Sequence, residues 1–217
     1  MMNDLSRIFK EIDKHLMDDD KPSLYINGLI NTEMFLNLYP FTLLRELKET
    51  PQSPIYHPEG DVWNHTMLVL DEAAKRKKQS EDSRAFMWAA LLHDIGKPST
   101  TRYKKGKITS YDHDKVGKEI TVKFLKEFKC ESEFIKKVAS LVRWHMHTLF
   151  IVKDLPFADI ESMLSEVNAN EIALFSMCDR LGRGNITREK VLEVERNMKY
   201  FISQCNLKAK KLEFAGT

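Results

Sequence analysis

At 217 residues the chain is long enough to bury a core without disulfide staples, which points to one generous domain with room for a helical extension. Its 34 Lys and Arg against 32 Asp and Glu leave a formal charge of only +2, so the whole molecule makes no electrostatic case for a nucleic acid or a membrane surface. Three scattered cysteines, Cys130, Cys178 and Cys205, lack Cys-x-x-Cys spacing and read as reduced thiols, and no run of about 18 apolar residues occurs, so a cytoplasmic protein without signal peptide or membrane span is expected.

Apolar residues recur mostly at three and four, and Gly and Pro are sparse, so an all-α fold is predicted. Helices are expected over Asp4–Leu16 and Thr32–Glu49, followed by a breaker-rich loop from Thr50 to Gly60 that separates an N-terminal helical extension (residues 1–50) from a core domain (residues 51–217). Core helices are predicted at Asp61–Lys78, Ser83–Ile95, Asp114–Phe128, Ser132–His147, Ala169–Leu181 and Arg188–Gln204. Between Thr101 and Tyr111 the pattern suits a small β-hairpin turning at Gly106.

Chemistry concentrates where an apolar helix, Ala89-Ala-Leu-Leu, delivers His93 and Asp94 just before Gly96 and Pro98 stop it. Neighbours on a helix differ by about 100° in direction, so the two can converge on one ion from adjacent faces. His65 has Leu68 and Val69 three and four residues on, which gives its ring a core-facing position where a lone His is usually structural. Asp179 shares a helical face with Ile172 and Phe175, and a carboxylate on an apolar stripe is costly unless a cation compensates it. Phe134, Val138, Leu141 and His145 trace another stripe, so His145 is read as inward and His147 as outward. His113 precedes a helix, where it can face solvent or a site. Together these imidazoles and carboxylates suit one or two divalent transition-metal ions, Mn, Fe, Co, Ni or Zn, with Mg as a further candidate.

The order His65, His93-Asp94, Asp179 and the run Leu92-His-Asp-Ile-Gly-Lys97 resemble the HD superfamily of metal-dependent phosphohydrolases. Tyr56-His-Pro-Glu-Gly-Asp-Val-Trp-Asn-His65, Asp112-His113-Asp-Lys-Val-Gly117, Val142-Arg-Trp-His145 and Asp179-Arg-Leu-Gly-Arg183 resemble more narrowly the HD domain of bacterial tRNA nucleotidyltransferases, the CCA-adding enzymes. The likeness covers roughly Leu43 to Asn185. No Gly-Ser followed by an Asp-x-Asp pair appears upstream, so the chain is not expected to add CCA by itself.

The resemblance implies an HD helical bundle and hydrolysis of a nucleotide or nucleic-acid-end phosphate ester, as a phosphomonoesterase or a 2',3'-cyclic phosphodiesterase. It assigns His65, His93, Asp94 and Asp179 to one metal, with Asp94 placed to bridge to a second held partly by His113 and His145. Lys97 is the candidate for contact with the substrate phosphate or leaving oxygen, and Asp94 and Lys97 are the expected catalytic pair. Arg143 and Arg183 are candidate phosphate ligands and equally candidate structural ion-pair partners. His57 and Glu59 are expected at the pocket mouth, and His15 is expected to be unrelated. Two other functions stay open: an RNA- or partner-binding module that retained its metal site, and a di-iron oxygenase. The sequence leaves oligomeric state open.

Overall fold

The computed structural model describes residues 2–215. Helix α1 (Met2–Asp18) places Ile8, Phe9, Ile12 and Leu16, spaced for one face, in the core. Phe9 stacks on Trp88 with ring centroids 4.5 Å apart, and Asp13 accepts hydrogen bonds from Trp88 Nε1 and Arg84 Nε, each at 2.7 Å.

The segment after α1 departs from expectation. A helix not read from the sequence, α2 (Pro22–Leu29), starts on a proline and is pinned by contacts distant in sequence: Ser23 donates through N and Oγ to Asp71, and Trp63 Nε1 donates to Asn27. The helix predicted over Thr32–Glu49 is broken into α3 (Glu33–Asn37), α4 (Phe41–Arg45) and a 3-10 turn at Glu46–Glu49. Pro40 has no amide hydrogen and clashes with a preceding helical turn, which separates α3 from α4.

Helix α5 (Val62–Ala74) is capped by Asp61, which accepts from the Asn64 amide. Helix α6 (Ser83–Leu92), capped by Asp82, is buried without interruption from Ala85 to Leu92. A helix apolar all round needs cover on every side. It has it from α1, from α5 and from α9 (Ser132–Trp144).

After His93 and Asp94 the chain turns at Gly96 into the single turn α7 (Lys97–Thr100). A Cβ on Gly96 would lie 2.2 Å from the His113 carbonyl oxygen and 2.7 Å from the Gly117 nitrogen, so only glycine lets α8 (His113–Glu127) approach the His-Asp turn this closely. Between α7 and α8, strands β1 (Arg102–Lys104) and β2 (Lys107–Thr109) pair antiparallel with Arg102 opposite Thr109 and Lys104 opposite Lys107. Lys105 and Gly106 both have positive φ, as a two-residue hairpin requires.

The remaining helices are α10 (His147–Val152), α11 (Ile160–Glu166), α12 (Ala169–Leu181) and α13 (Arg188–Ala215). The helix predicted to reach His147 ends at Trp144, α10 and α11 are additions, and the last helix runs beyond Gln204. A single hydrophobic cluster runs from Ile8 on α1 to Cys205 on α13. Among the described residues no helix is long and apolar enough to cross a membrane.

Candidate metal centre

Five elements converge at one end of α6. His65 comes from the first turn of α5, His93 and Asp94 from the turn after α6, His113 from the start of α8, His145 from the end of α9 and Asp179 from α12. All six residues are buried, none more than 6% exposed. The packing of α12 on α5 depends on a second close approach, because a Cβ on Gly182 would lie 2.6 Å from Val69 Cα. That approach presents the Gly182 carbonyl to His65 Nδ1 at 3.1 Å. Leu68, read as a core neighbour of His65, is 39% exposed, whereas Val69 is buried.

Asp94 stands between two groups of donors. Its Oδ2 is 3.2 Å from His93 Nε2 and 3.9 Å from His65 Nε2, and His65 Nε2 is 3.0 Å from Asp179 Oδ1. Its Oδ1 is 3.5 Å from His113 Nε2 and 3.9 Å from His145 Nε2. Donor atoms that share an ion at about 2.0–2.2 Å lie about 3–4.4 Å from one another, and these separations fall in that range.

The far nitrogens fix the direction of each ring. The Nδ1 atoms of His93, His113 and His145 meet the carbonyls of Ala90, Ser110 and Val142 at 3.0, 2.7 and 2.7 Å. A carbonyl only accepts, so these Nδ1 atoms carry hydrogen and each ring presents its Nε2 to the centre. Nε2 of His93 has no hydrogen-bond partner among the described residues. Buried imidazole nitrogens and carboxylate oxygens gathered this closely are the donors a cation takes, so the set fits one or two divalent ions.

Electrostatics agree with that fit. Burial alone raises the Asp94 carboxyl, but His93 and Lys97 overcome it and hold the group well below the usual carboxylate range. Asp179 is treated likewise, with burial opposed by the His65 hydrogen bond and the charges of Arg180 and Arg183. His145 is pushed down to about 3 by burial and by the neighbouring His113 and His93, and burial also lowers His113. His65 is raised, because its bonds to Asp179 and Glu59 outweigh burial.

The other predicted residues take varied places. Lys97 is 9% exposed, not a surface lysine, with Nζ 2.7 Å from Asp94 Oδ2 and 2.6 Å from Gln52 Oε1. Arg183 sits beside Asp179, Nη2 to Oδ1 at 3.9 Å, and donates from Nη1 to the Tyr56 carbonyl at 3.3 Å. Arg143 takes the ion-pair alternative, donating to Asp114 and lying over the Trp144 ring at 4.1 Å. His57 and Glu59 continue inward from the loop, with Glu59 Oε1 2.9 Å from Nδ1 of both His57 and His65. His15, on α1, pairs with Asp19 just past the end of that helix, away from the site.

His147 corrects the outward assignment. It is fully buried, packed edge-on against Trp144 with centroids 4.5 Å apart. The 100° count fails there because α9 ends at Trp144 and a new helix begins at His147. Gln52 and Arg180, whose Nε lies 3.8 Å from Asp179 Oδ2, escaped sequence reasoning. A glutamine in a loop and an arginine beside an acid carry little signal until the fold brings them in.

Comparison with known proteins locates the chain. The HD domain model matches residues 62–192. The chain is 33% identical over 123 residues to an A-adding tRNA nucleotidyltransferase of Deinococcus radiodurans, covering 55% of this chain and 27% of that one. It is 30% identical over 142 residues to a multifunctional CCA protein of Pasteurella multocida, covering 65% and 33%, and 35% identical over 107 residues to one of Pseudomonas fluorescens, covering 49% and 24%. The chain thus spans about a quarter to a third of the length of these relatives. All six converging side chains fall inside the matched segment, and the chain belongs to the HD domain family.

Proposed function

We propose that this protein is a metal-dependent phosphohydrolase acting on a nucleotide or nucleic-acid-end phosphate ester, of the phosphomonoesterase or 2',3'-cyclic phosphodiesterase type. The observation that carries the reading is the Asp94 carboxylate, each oxygen of which faces its own group of imidazoles while a lysine ammonium lies on one of them. A divalent ion held there supplies a lowered pKa for water and positive charge for a phosphoryl oxygen.

The chain's own groups do the rest. The ligand set would be His65, His93, Asp94 and Asp179, with His113 and His145 on the second side of Asp94. The main-chain carbonyls behind His93, His113 and His145 hold those rings in one tautomer and one orientation. Lys97, kept near Asp94 by Gln52, offers a charge to the phosphate or to the leaving oxygen. Arg183 at the edge of Asp179 supplies a planar donor fork of the kind that suits phosphate. That one relative is named an A-adding tRNA nucleotidyltransferase favours a nucleotide or RNA-end ester over other phosphates.

The test is phosphate release from a panel of nucleotides and cyclic phosphates with Mn, Ni, Co, Mg or chelator, for wild type and Asp94→Ala. Release that needs both metal and Asp94 supports the hydrolase. Silence under every metal favours the binding module or the oxygenase.

A further inference from the structure

The hairpin β1–β2 adjoins the metal centre and takes no part in its chemistry. Between Ile95 and Tyr111 the chain carries five basic residues, Lys97, Arg102, Lys104, Lys105 and Lys107, and no acidic one. Lys97 is bound to Asp94, and the other four stand on the hairpin, so a chain of charge +2 concentrates positive charge on one short element.

The strand register sets the geometry. Side chains alternate along a strand, so Arg102 and Lys104 share a face with Lys107 and Thr109, about 7 Å from the first cation to the second. Lys104 is directly opposite Lys107, a like-charge pairing that destabilises a two-stranded ribbon unless an anion lies across it. Neither lysine, nor Lys105, has a carboxylate partner among the described residues, and the nearest acids are engaged elsewhere, Asp112 with Lys115 and Asp114 with Arg143. Arg102 is oriented by the carbonyls of Ser99 and Thr101, at 3.0 and 2.8 Å, and not by an acid.

The hairpin is rooted in the metal centre. Thr101 Oγ1 donates to the Lys97 carbonyl at 2.8 Å and meets Ser110 Oγ at 2.8 Å, and the Ser110 carbonyl is the one that holds His113. Tyr103, on the opposite face of β1, and Tyr111, at the foot, are 71% and 72% exposed. A row of cations on one face, an exposed ring on the other and a second ring at the foot offer a single strand charge for its backbone and rings at the ribbon's margins for its bases. An acidic protein would use the cations and leave the rings idle.

We infer that the hairpin Arg102–Thr109 is a docking rail for the backbone of a single-stranded polynucleotide whose terminal phosphate ester lies at the metal centre. This deepens the phosphohydrolase reading and rests on it for the position of the strand's end. The substrate class is thereby an oligonucleotide end, not a free mononucleotide.

The experiment is fluorescence anisotropy of the metal-loaded protein with labelled single-stranded RNA, and DNA of the same sequence, that bear no terminal phosphate. Wild type is compared with Lys104→Glu/Lys107→Glu, Lys104→Arg/Lys107→Arg and Tyr103→Ala, each checked for fold by circular dichroism. The expected result is a loss of about tenfold or more in the Glu double variant, retention in the Arg pair and a smaller loss in Tyr103→Ala. Two lost phosphate contacts also flatten the slope of log affinity against log salt by about 1.4. Equal affinity of wild type and the Glu double variant overturns the inference. So does polyglutamate binding as tight as the oligonucleotide's, which assigns the face to an acidic protein. Because the probes carry no terminal ester, hairpin-dependent binding without hydrolysis of any ester sinks the hydrolase reading alone, and hydrolysis without such binding sinks the rail alone.

Discussion

The Nε2 atoms of His113 and His145 face one another at 3.2 Å, while each ring donates through Nδ1 to a main-chain carbonyl at 2.7 Å. Two neutral imidazoles tethered in this way set lone pair against lone pair, an arrangement that needs positive charge between them. The same pair sits beside Asp94 Oδ1, on the opposite side of the carboxylate from His65 and His93.

Metal content follows from that arrangement. The protein dialysed against Mn, Ni or Zn should retain about two ions per chain by elemental analysis, as a carboxylate-bridged site does. His145→Ala should lose the ion on the His113 side and keep about one, and Asp94→Ala should lose both. Stripping the ions with chelator should lower the thermal midpoint, since a ligand bound only by the folded state stabilises it.

Lys97 supports a second expectation. Its ammonium is held on Asp94 and Gln52, so Lys97→Ala removes one charge from the reacting region while leaving every metal ligand in place. Turnover should fall about 100-fold, the loss typical of a single preorganised electrostatic donor. Metal content should stay that of the wild type, and steady-state kinetics with elemental analysis check both.

Gly96 and Gly28 make a contrasting pair. A methyl group at Gly96 would be driven into the His113 carbonyl and the Gly117 amide, both backbone atoms that cannot step aside cheaply. Gly96→Ala should cost about 3 kcal/mol in urea unfolding, at the upper end for overpacking, and should reduce metal affinity by moving His113. A Cβ on Gly28 meets nothing within 4 Å. In helix α2, Gly28→Ala should stabilise by about 0.5–1 kcal/mol.

Acid stability has a specific contributor in Glu166. Burial alone raises its pKa, but Lys118 at 3.0 Å, Trp144 Nε1 and Ser140 together hold it below the ordinary carboxylate value. A carboxyl lowered in the fold stabilises above its unfolded pKa, and that contribution is lost as pH falls through the folded one. Urea midpoints taken from neutral pH down through the acid range should therefore fall more steeply for wild type than for Glu166→Gln. Parallel slopes would count against the assignment.

Of the six residues that converge, His93, Asp94, His145 and Asp179 stood out in the sequence because each sat on a strong local pattern, an apolar helix ending in His93 and Asp94 and helical stripes ending in His145 and Asp179, whereas His65 and His113 did not. Helix α12 falls on its predicted span, Ala169–Leu181, since Asn168 caps it and the chain changes character after Leu181. Where structure depends on distant partners the sequence was mute. Helix α2 has only eight residues and takes its order from Asp71 and Trp63, far along the chain. The stretch Thr32–Glu49 has helical spacing throughout, and the break at Pro40 outweighs it. His147 was misplaced for a related reason: periodicity carries direction only while the helix continues.

The bond between His65 and Asp179 closes a span of 114 residues, and Asp94 meets His65 at one end of that span and His113 within it. Contacts so far apart in sequence pay their loop-closure entropy late, so the donor set is assembled near the end of folding. The group made by His65, His93 and Asp179 is complete only when α12 has docked, whereas Asp94, His113 and His145 come from segments closer in the chain. Once an ion is seated it acts as a clasp across the whole bundle, coupling the mechanical integrity of five separate elements to the supply of one metal.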